Sequence, residues 1–322
     1  MNTPRPALVI GAGIIGLTTA ITLAERGHPV TVVTRDDPGT TTSASAGALW
    51  GPWLVQPRNR VLAWAAHTLT VLRRLAADPD VTGVRMAAGR DITREDYPPP
   101  DWAHLLNDRR PCTPDELPPG YRHGTHYTAP LADMPRHLTY LTNRLTAADG
   151  TIENTTITSL DQAAAHSPIV INSAGLGAGE LARDPTIYPI RGHHVITDNP
   201  GLNEWTEADT GDSPDLIAIY PHGDHVILGG TAQARRYDPH PDEPTAHDIL
   251  QRCTTIEPRL SDARILGHRI GHRPTRPTIR LETEQLGTSR IIHSYGHGGA
   301  GYTVSWGCAQ SVAEAAKGDM NA

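Results

Sequence analysis

Apolar positions along the chain follow two periods, and the switches between them outline the fold. Ala7-Leu8-Val9-Ile10 is a short continuous apolar run, and beyond a few glycines Ile14, Leu17, Ile21 and Leu23 take up helical spacing. Gly27 stands where a C′ glycine ends that helix, and Val30-Thr31-Val32-Val33-Thr34 returns to a strand. Over residues 58–77, Val61, Leu62, Ala65, Leu69, Leu72 and Leu75 again keep helical spacing, closed by Asp78-Pro79-Asp80. Pro135 opens a further helix carried by Leu138, Leu141 and Leu145. Residues 91–120 are proline-rich and read as a surface excursion or as short strands between turns. Ile169-Val170-Ile171 is another buried-strand run. From residue 188 to 230 the pattern is strand-like, with Ile217-Ala218-Ile219-Tyr220 and His225-Val226-Ile227-Leu228 joined through Gly223-Asp224 as a hairpin. Last, Ile291-Ile292-His293-Ser294-Tyr295 runs into a glycine-dense loop with a helix after it.

The N-terminal strand, helix and strand form a βαβ unit whose first turn is Gly11-Ala12-Gly13-Ile14-Ile15-Gly16. In such a turn the first glycine makes the bend, the second lets backbone close on a pyrophosphate, and the third packs helix onto strand. Asp36 lies just past the second strand, where an acid meets a ribose hydroxyl. Arg35 beside it suits a 2′-phosphate or the face of an adenine, so this motif alone leaves FAD and NAD(P) both open. Thr41, Thr42 and Ser43 begin a run of small and hydroxyl residues that continues through Gly47, Ala48 and Leu49, suited to a ligand's polar chain. Leu49, Trp50, Trp53 and Leu54 follow at once and would be costly to leave in water. Further main-chain approaches to the same ligand are expected at Ser173, Ala174 and Gly175 and at Gly298, Gly299, Gly301, Tyr302 and Thr303.

The expected fold class is α/β: a Rossmann-like dinucleotide domain with a parallel sheet and helices on its faces, plus an interleaved α+β domain with a mixed or antiparallel sheet. Segments 1–50, 145–187 and 265–322 are assigned to the first, and 51–144 and 188–264 to the second, the substrate-binding domain. A length of 322 residues accommodates both. A formal charge of −7 without a basic block excludes recruitment of nucleic acid or an anionic membrane by field alone. No apolar run approaches the ~20 residues of a membrane span, so a soluble cytoplasmic protein is expected. Cys112, Cys253 and Cys308 have no paired spacing, which argues against a disulfide framework and a zinc site. Of the histidine pairs His123/His126, His193/His194, His222/His225 and His268/His272, none sits on a helix face with a nearby carboxylate, so no metal site is expected.

Two further stretches are more specific. Arg273-Pro274-Thr275-Arg276-Pro277-Thr278-Ile279-Arg280-Leu281-Glu282 and Tyr295-Gly296-His297-Gly298-Gly299-Ala300-Gly301-Tyr302-Thr303-Val304-Ser305-Trp306-Gly307-Cys308-Ala309 resemble, in this order, the signatures of flavin-dependent D-amino acid oxidases and D-aspartate oxidases. The Thr-rich run, residues 172–181 and Pro189-Ile190-Arg191-Gly192 fit the same pattern more loosely. The resemblance implies noncovalently bound FAD, a small amino acid and dioxygen as partners, and oxidative deamination by hydride transfer to flavin N5. Its products are the 2-oxo acid, ammonia and hydrogen peroxide. It also assigns Arg280 to the substrate carboxylate, the Gly299 carbonyl to the substrate amine, and residues 298–303 to the pyrimidine edge of the flavin.

The match departs at the family's active-site tyrosine, whose position holds Ala218. Tyr220, two residues on and on the same strand face, is the nearest substitute. The family's second tyrosine has no counterpart between Trp205 and Asp215. These departures leave room for a glycine- or sarcosine-type or biosynthetic amine oxidase, and for a noncatalytic FAD-binding protein. For an acidic substrate side chain the cations to consider are Arg235, Arg236 and His222 beside the hairpin. Side-chain preference, the physiological electron acceptor and formation of a homodimer stay open. Gly318-Asp319-Met320-Asn321-Ala322 lacks a Ser-Lys-Leu-like peroxisomal address, in keeping with a cytoplasmic enzyme.

Overall fold

Each apolar run of the N-terminal unit forms the element its period predicts: β1 (Ala7–Ile10), α1 (Ile14–Ala24) and β2 (Val30–Thr34). The chain continues through α2 (Arg58–Leu75), α3 (Pro79–Thr82), β3 (Val84–Thr93), β4 (Arg110–Pro111), β5 (His123–Ala132) and α4 (Met134–Ala147). Then come β6 (Thr151–Asn154), α5 (Leu160–His166), β7 (Ile169–Asn172), α6 (Gly177–Leu181), β8 (Tyr188–Asp198) and β9 (Trp205–Ala208). The hairpin is β10 (Ile217–His222) and β11 (His225–Gly229), followed by β12 (Gln233–Ala234) and α7 (Glu243–Ile256). A long β13 (Ile265–Leu286), β14 (Ser289–His297) and α8 (Gly301–Lys317) complete it. This computed structural model describes residues 4–53, 55–211 and 213–317, so Leu54 and the expectation for the last five residues lie outside the described residues.

β14, β7, β1, β2 and β6 lie side by side in parallel. A parallel sheet needs cover on both faces, and the alternation along its strands supplies two apolar sides. Ala7 and Val9 join the cluster that holds α1, α2, α4 and α8, whereas Leu8 and Ile10 join Leu160 and Ala163 of α5 on the other side. Helix α1 is buried almost all round. Gly307 brings α8 against α2, since a Cβ there would overlap the Trp64 backbone, and its amide donates to Thr68 Oγ1 at 3.0 Å.

β13 ties this parallel block to the second one. Its first half pairs antiparallel with β8, and from Arg280 onward it pairs antiparallel with β14, with a register shift between Thr275 and Arg280. Beyond β8 the order runs β11, β10, β9, β3, β5, β4, antiparallel except for the parallel β3–β9 pair. The result is the mixed α/β architecture expected from the sequence.

Trp50 is fully buried, but Trp53, expected beside it in the core, is 43% exposed. The core place is taken by Trp102, which meets Trp50 edge-on at 5.8 Å and Trp53 edge-on at 5.2 Å, leaving one side of the Trp53 ring to water. Residues 91–93 extend β3, Arg110–Pro111 form the short β4 against β5, and between them lie turns and short helical turns pinned by buried Trp102 and Leu106, so the stretch is short strands between turns. No helix among the described residues is long and apolar enough to cross a membrane.

Candidate active site

Main-chain donors converge where β1, β7 and β14 end. Gly11 has φ of +104°, and a Cβ on it would come within 2.6 Å of the Ser173 carbonyl oxygen. Ser173 donates from both its amide and its hydroxyl to the Ile10 carbonyl, each at 3.1 Å, which locks the ends of β1 and β7 together. A Cβ on Gly16 would overlap the Gly11 carbonyl oxygen, so α1 reaches its seat only with glycine there. The helix opens at Gly13 without a side-chain cap, and the Ile14 amide donates to Ser43 Oγ at 3.0 Å. Gly301, at the start of α8, faces Ile14, with 3.5 Å from its Cβ position to Ile14 Cγ2. Two long helices thus present their N-termini side by side, where amides and helix dipoles favour an anion.

The remaining residues expected at the cofactor distribute around this point. Ile15 is buried core, Ala174 lies against Gly11, and Gly175 (φ +58°) is open on its Cβ side. Arg35 and Asp36 are exposed past β2 and pair with each other at 3.0 Å. The hydroxyls of Thr41 and Thr42 donate to the Pro38 and His272 carbonyls, at 2.8 and 3.2 Å. Ser45 likewise donates to Ile270, so the run is laced to β13 and any ligand there meets backbone. Gly47 lies under the Tyr220 ring, Ala48 has φ of +56°, and Leu49 bridges to Leu131. The Thr303 hydroxyl bonds the Gly51 amide and carbonyl, both at 3.2 Å. Gly298 (φ +54°) donates its amide to the Pro274 carbonyl at 2.9 Å. The Tyr302 ring points into the core, edge-on to His137 at 6.2 Å, so only its backbone is available to a ligand. The enforced close approach of main chain at Gly11 and Gly16 and the two helix N-termini fit a dinucleotide pyrophosphate at α1 and an electron-rich ring edge at α8.

Across this cradle the β8–β13 half of the sheet carries the polar groups. Arg273 packs its guanidinium on Gly192, donates Nη1 to the Thr231 carbonyl at 2.9 Å, and runs its stem 3.5 Å from the Cβ position of Gly299. No described residue forms an ion pair with it, and burial pulls its pKa down. His194 beside it holds Ser45's carbonyl through Nδ1 at 2.9 Å; burial first, and then Arg273, push its pKa down to about 4. The ring is therefore neutral at ordinary pH. Tyr220 lies with its ring on Gly47 and donates its hydroxyl to Glu207.

Arg280, expected to face the substrate, is placed elsewhere. Its Nε bonds Glu282 at 2.6 Å, Nη2 meets Glu284 at 3.5 Å, and Nη1 donates to the Tyr295 hydroxyl at 2.8 Å, which donates on to Asp184 at 2.9 Å. A guanidinium with every nitrogen engaged by its own chain offers no edge to a carboxylate. The guanidinium next to Gly299 belongs to Arg273, seven positions earlier on the same strand. Arg236 pairs with Asp238 at 3.2 Å, Arg235 lies over the Tyr188 ring, and His222 is stacked on His225 with its pKa pushed down to about 3 by burial.

The profile of the family described as FAD dependent oxidoreductase matches residues 7–315. A D-amino-acid oxidase of Rubrobacter xylanophilus is 47% identical over 309 residues, covering 95% of this chain and 94% of that one. A D-amino-acid oxidase of Streptomyces coelicolor is 42% identical over 317 residues, 96% of each chain. The D-aspartate oxidase of Homo sapiens is 33% identical over 327 residues, covering 97% of this chain and 94% of that one. Among solved structures, glycine oxidase from Geobacillus kaustophilus shares the fold with a TM-score of 0.80 at 16% identity, over 98% of this chain and 95% of that one. The geometry of the cradle and these similarities agree, and the chain belongs to the FAD dependent oxidoreductase family.

Proposed function

We propose that this protein is a FAD-dependent D-amino acid oxidase in which Arg273, in place of Arg280, binds the substrate carboxylate. The observation that carries the reading is a half-buried guanidinium beside Gly299 that forms no ion pair among the described residues. Burying such a charge unpaired is costly, and an incoming carboxylate offsets the cost through two parallel charge-assisted hydrogen bonds. Main-chain groups of Gly11, Gly13, Ile14 and Gly16 would hold the pyrophosphate, Asp36 the ribose, and residues 298–303 the ring edge. When bound, the flavin supplies the two-electron acceptor for the substrate's α-hydrogen, and dioxygen carries those electrons to hydrogen peroxide.

The chain's own residues then have three tasks. Arg273 fixes one end of the substrate, and the Gly299 carbonyl takes a hydrogen bond from the amine, so that Cα is held at one height and orientation. Neutral His194 keeps a second cation away from Arg273 and leaves that charge for the substrate. Tyr220 lines one wall with its ring, because its hydroxyl is spent on Glu207. Oxidation of the neutral amine gives an imine that water hydrolyses to the 2-oxo acid and ammonia, with no protein nucleophile required. We assign segments 1–50, 145–187 and 265–322 to the cofactor and 51–144 and 188–264 to the substrate side.

Purified protein is expected to be yellow, to lose its visible flavin bands on anaerobic mixing with a D-amino acid, and to give peroxide in air. Bleaching by sarcosine or glycine with none by any member of a broad D-amino acid panel would overturn the reading.

A further inference from the structure

One row of the mixed sheet runs from Asp91 to Glu207, on to Ala218, and then to Gly229, each a direct register partner of the next. The two small residues leave the middle of the row low. At one end stands His194, whose ring lies 2.8 Å from the Cβ position of Gly229 and which borders Arg273. At the other end stand two carboxylates. Tyr220, on the same face as Ala218, links them to the cofactor-lining run through its ring on Gly47 and its hydroxyl on Glu207.

Among the described residues neither carboxylate forms an ion pair. Glu207 is 9% exposed and, among the described residues, its carboxylate accepts only the Tyr220 hydroxyl, on Oε1. Asp91 makes no side-chain hydrogen bond among the described residues. Arg109, the cation that acts on Asp91, makes its own contact with Thr125 Oγ1 at 3.5 Å. Aromatic rings close the space around them: Tyr127 meets Trp205 at 4.8 Å and Trp102 at 6.0 Å. Burial, and then their mutual proximity, raise Glu207 to about 7; burial and then Asp209 raise Asp91 to about 6. Such a pair is costly as it stands, and a cation between carboxylate and aromatic faces relieves it. Arg273 poses the complementary problem from the anionic side.

We propose that Glu207 sets the side-chain preference of the enzyme, selecting D-amino acids whose side chain ends in an ammonium or guanidinium and refusing those that end in a carboxylate. The inference rests on the oxidase reading above and narrows its substrate class. With the α-carboxylate on Arg273, the side chain extends over Ala218 toward Glu207 and the Tyr220 hydroxyl, where the missing counter-charge belongs.

The test uses FAD-loaded enzyme at about pH 8, where a carboxyl with a pKa of about 7 is ionised. D-lysine, D-norleucine (the same chain without the charge) and D-glutamate are compared by peroxide release. Wild type should favour D-lysine over D-norleucine in kcat/KM by about tenfold or more, a factor in keeping with one charge-assisted hydrogen bond, and should turn over D-glutamate least of the three. Glu207→Gln should bring the lysine-to-norleucine ratio to about one while leaving D-norleucine turnover within a few-fold. An unchanged ratio in a yellow Glu207→Gln enzyme overturns the proposal, as does wild type that prefers D-norleucine or D-glutamate. If the variant does not retain FAD, the wild-type comparison decides, joined by Nε-acetyl-D-lysine, whose turnover should fall to the norleucine level or below. Turnover of D-norleucine without any lysine advantage sinks this inference alone. Flavin that no D-amino acid reduces sinks the oxidase reading with it.

Discussion

Arg273→Ala is expected to lower kcat/KM for a D-amino acid by about 30- to 4,000-fold, which corresponds to the roughly 2–5 kcal/mol lost when one partner of a desolvated charge pair is removed. FAD should stay bound, because the hydrogen bond that pins the loop here, from the Gly298 amide to the Pro274 carbonyl, does not involve the Arg273 side chain. The effect should fall mainly on KM, since the carboxylate is held in both ground and transition states. Arg273→Lys should recover part of the loss at most, because a point charge cannot reproduce two parallel bonds. Arg280→Ala should leave KM near the wild-type value and lower the melting temperature instead, as Glu282 and Glu284 lose their shared cation. Steady-state kinetics with the visible spectrum of each variant separates the two arginines. Unchanged KM in Arg273→Ala together with a collapse in Arg280→Ala would return the role to Arg280.

That these arginines are hard to tell apart in the sequence has a physical cause. They lie on one extended strand, seven positions apart, on either side of a register shift between Thr275 and Arg280, so the alternation of side chains cannot be carried from one to the other by counting. Either face could be the one that meets substrate. The neighbours decide: Glu282 and Glu284 share the Arg280 face at two and four positions on, so that arginine is neutralised by its own strand. Arg273 has Gly271 as its same-face neighbour, which lies against Ser45 and Thr42 of the cofactor-lining run. That contrast is legible in the residues, but it acquires meaning only when the segment is read as strand.

The glycine turns, the hairpin and helices α2 and α4 are legible because local periodicity or turn chemistry specifies them without tertiary help. Helix α7 also carries its spacing, Ala246, Ile249, Cys253 and Ile256, behind an Asp242 cap. The proline, histidine and aspartate run just before it hides the start. The orientation of Tyr220 belongs to another class: its hydroxyl partner Glu207 sits on a neighbouring strand 13 residues away, and no local pattern encodes that pairing. Trp53 shows the same limit from the apolar side, since Trp102, far along the chain, claimed the buried position.

Gly13→Ala and Gly16→Ala should fail in different ways, although both change one glycine of the same turn. At Gly13 the backbone is ordinary, with φ of −76°, and the nearest neighbour of an added Cβ is the Ser43 hydroxyl at 3.1 Å, the movable end of a small side chain. The polypeptide should fold with a melting temperature close to that of cofactor-free wild type. The new methyl, however, stands at the mouth of α1 where the pyrophosphate must approach, so FAD affinity should fall by about tenfold or more, a loss of at least one good contact. At Gly16 the added Cβ overlaps the Gly11 carbonyl oxygen, and backbone cannot swing aside as a side chain can. Helix α1 must shift off β1, a strain of about 1–3 kcal/mol or more that lowers the melting temperature by several degrees even without FAD. Thermal melts of the cofactor-free proteins and titration of FAD followed by flavin fluorescence distinguish the outcomes. Wild-type FAD affinity in Gly13→Ala would mean that the pyrophosphate does not lie against this turn, and wild-type melting in Gly16→Ala would mean that the helix seat is looser than its contacts imply.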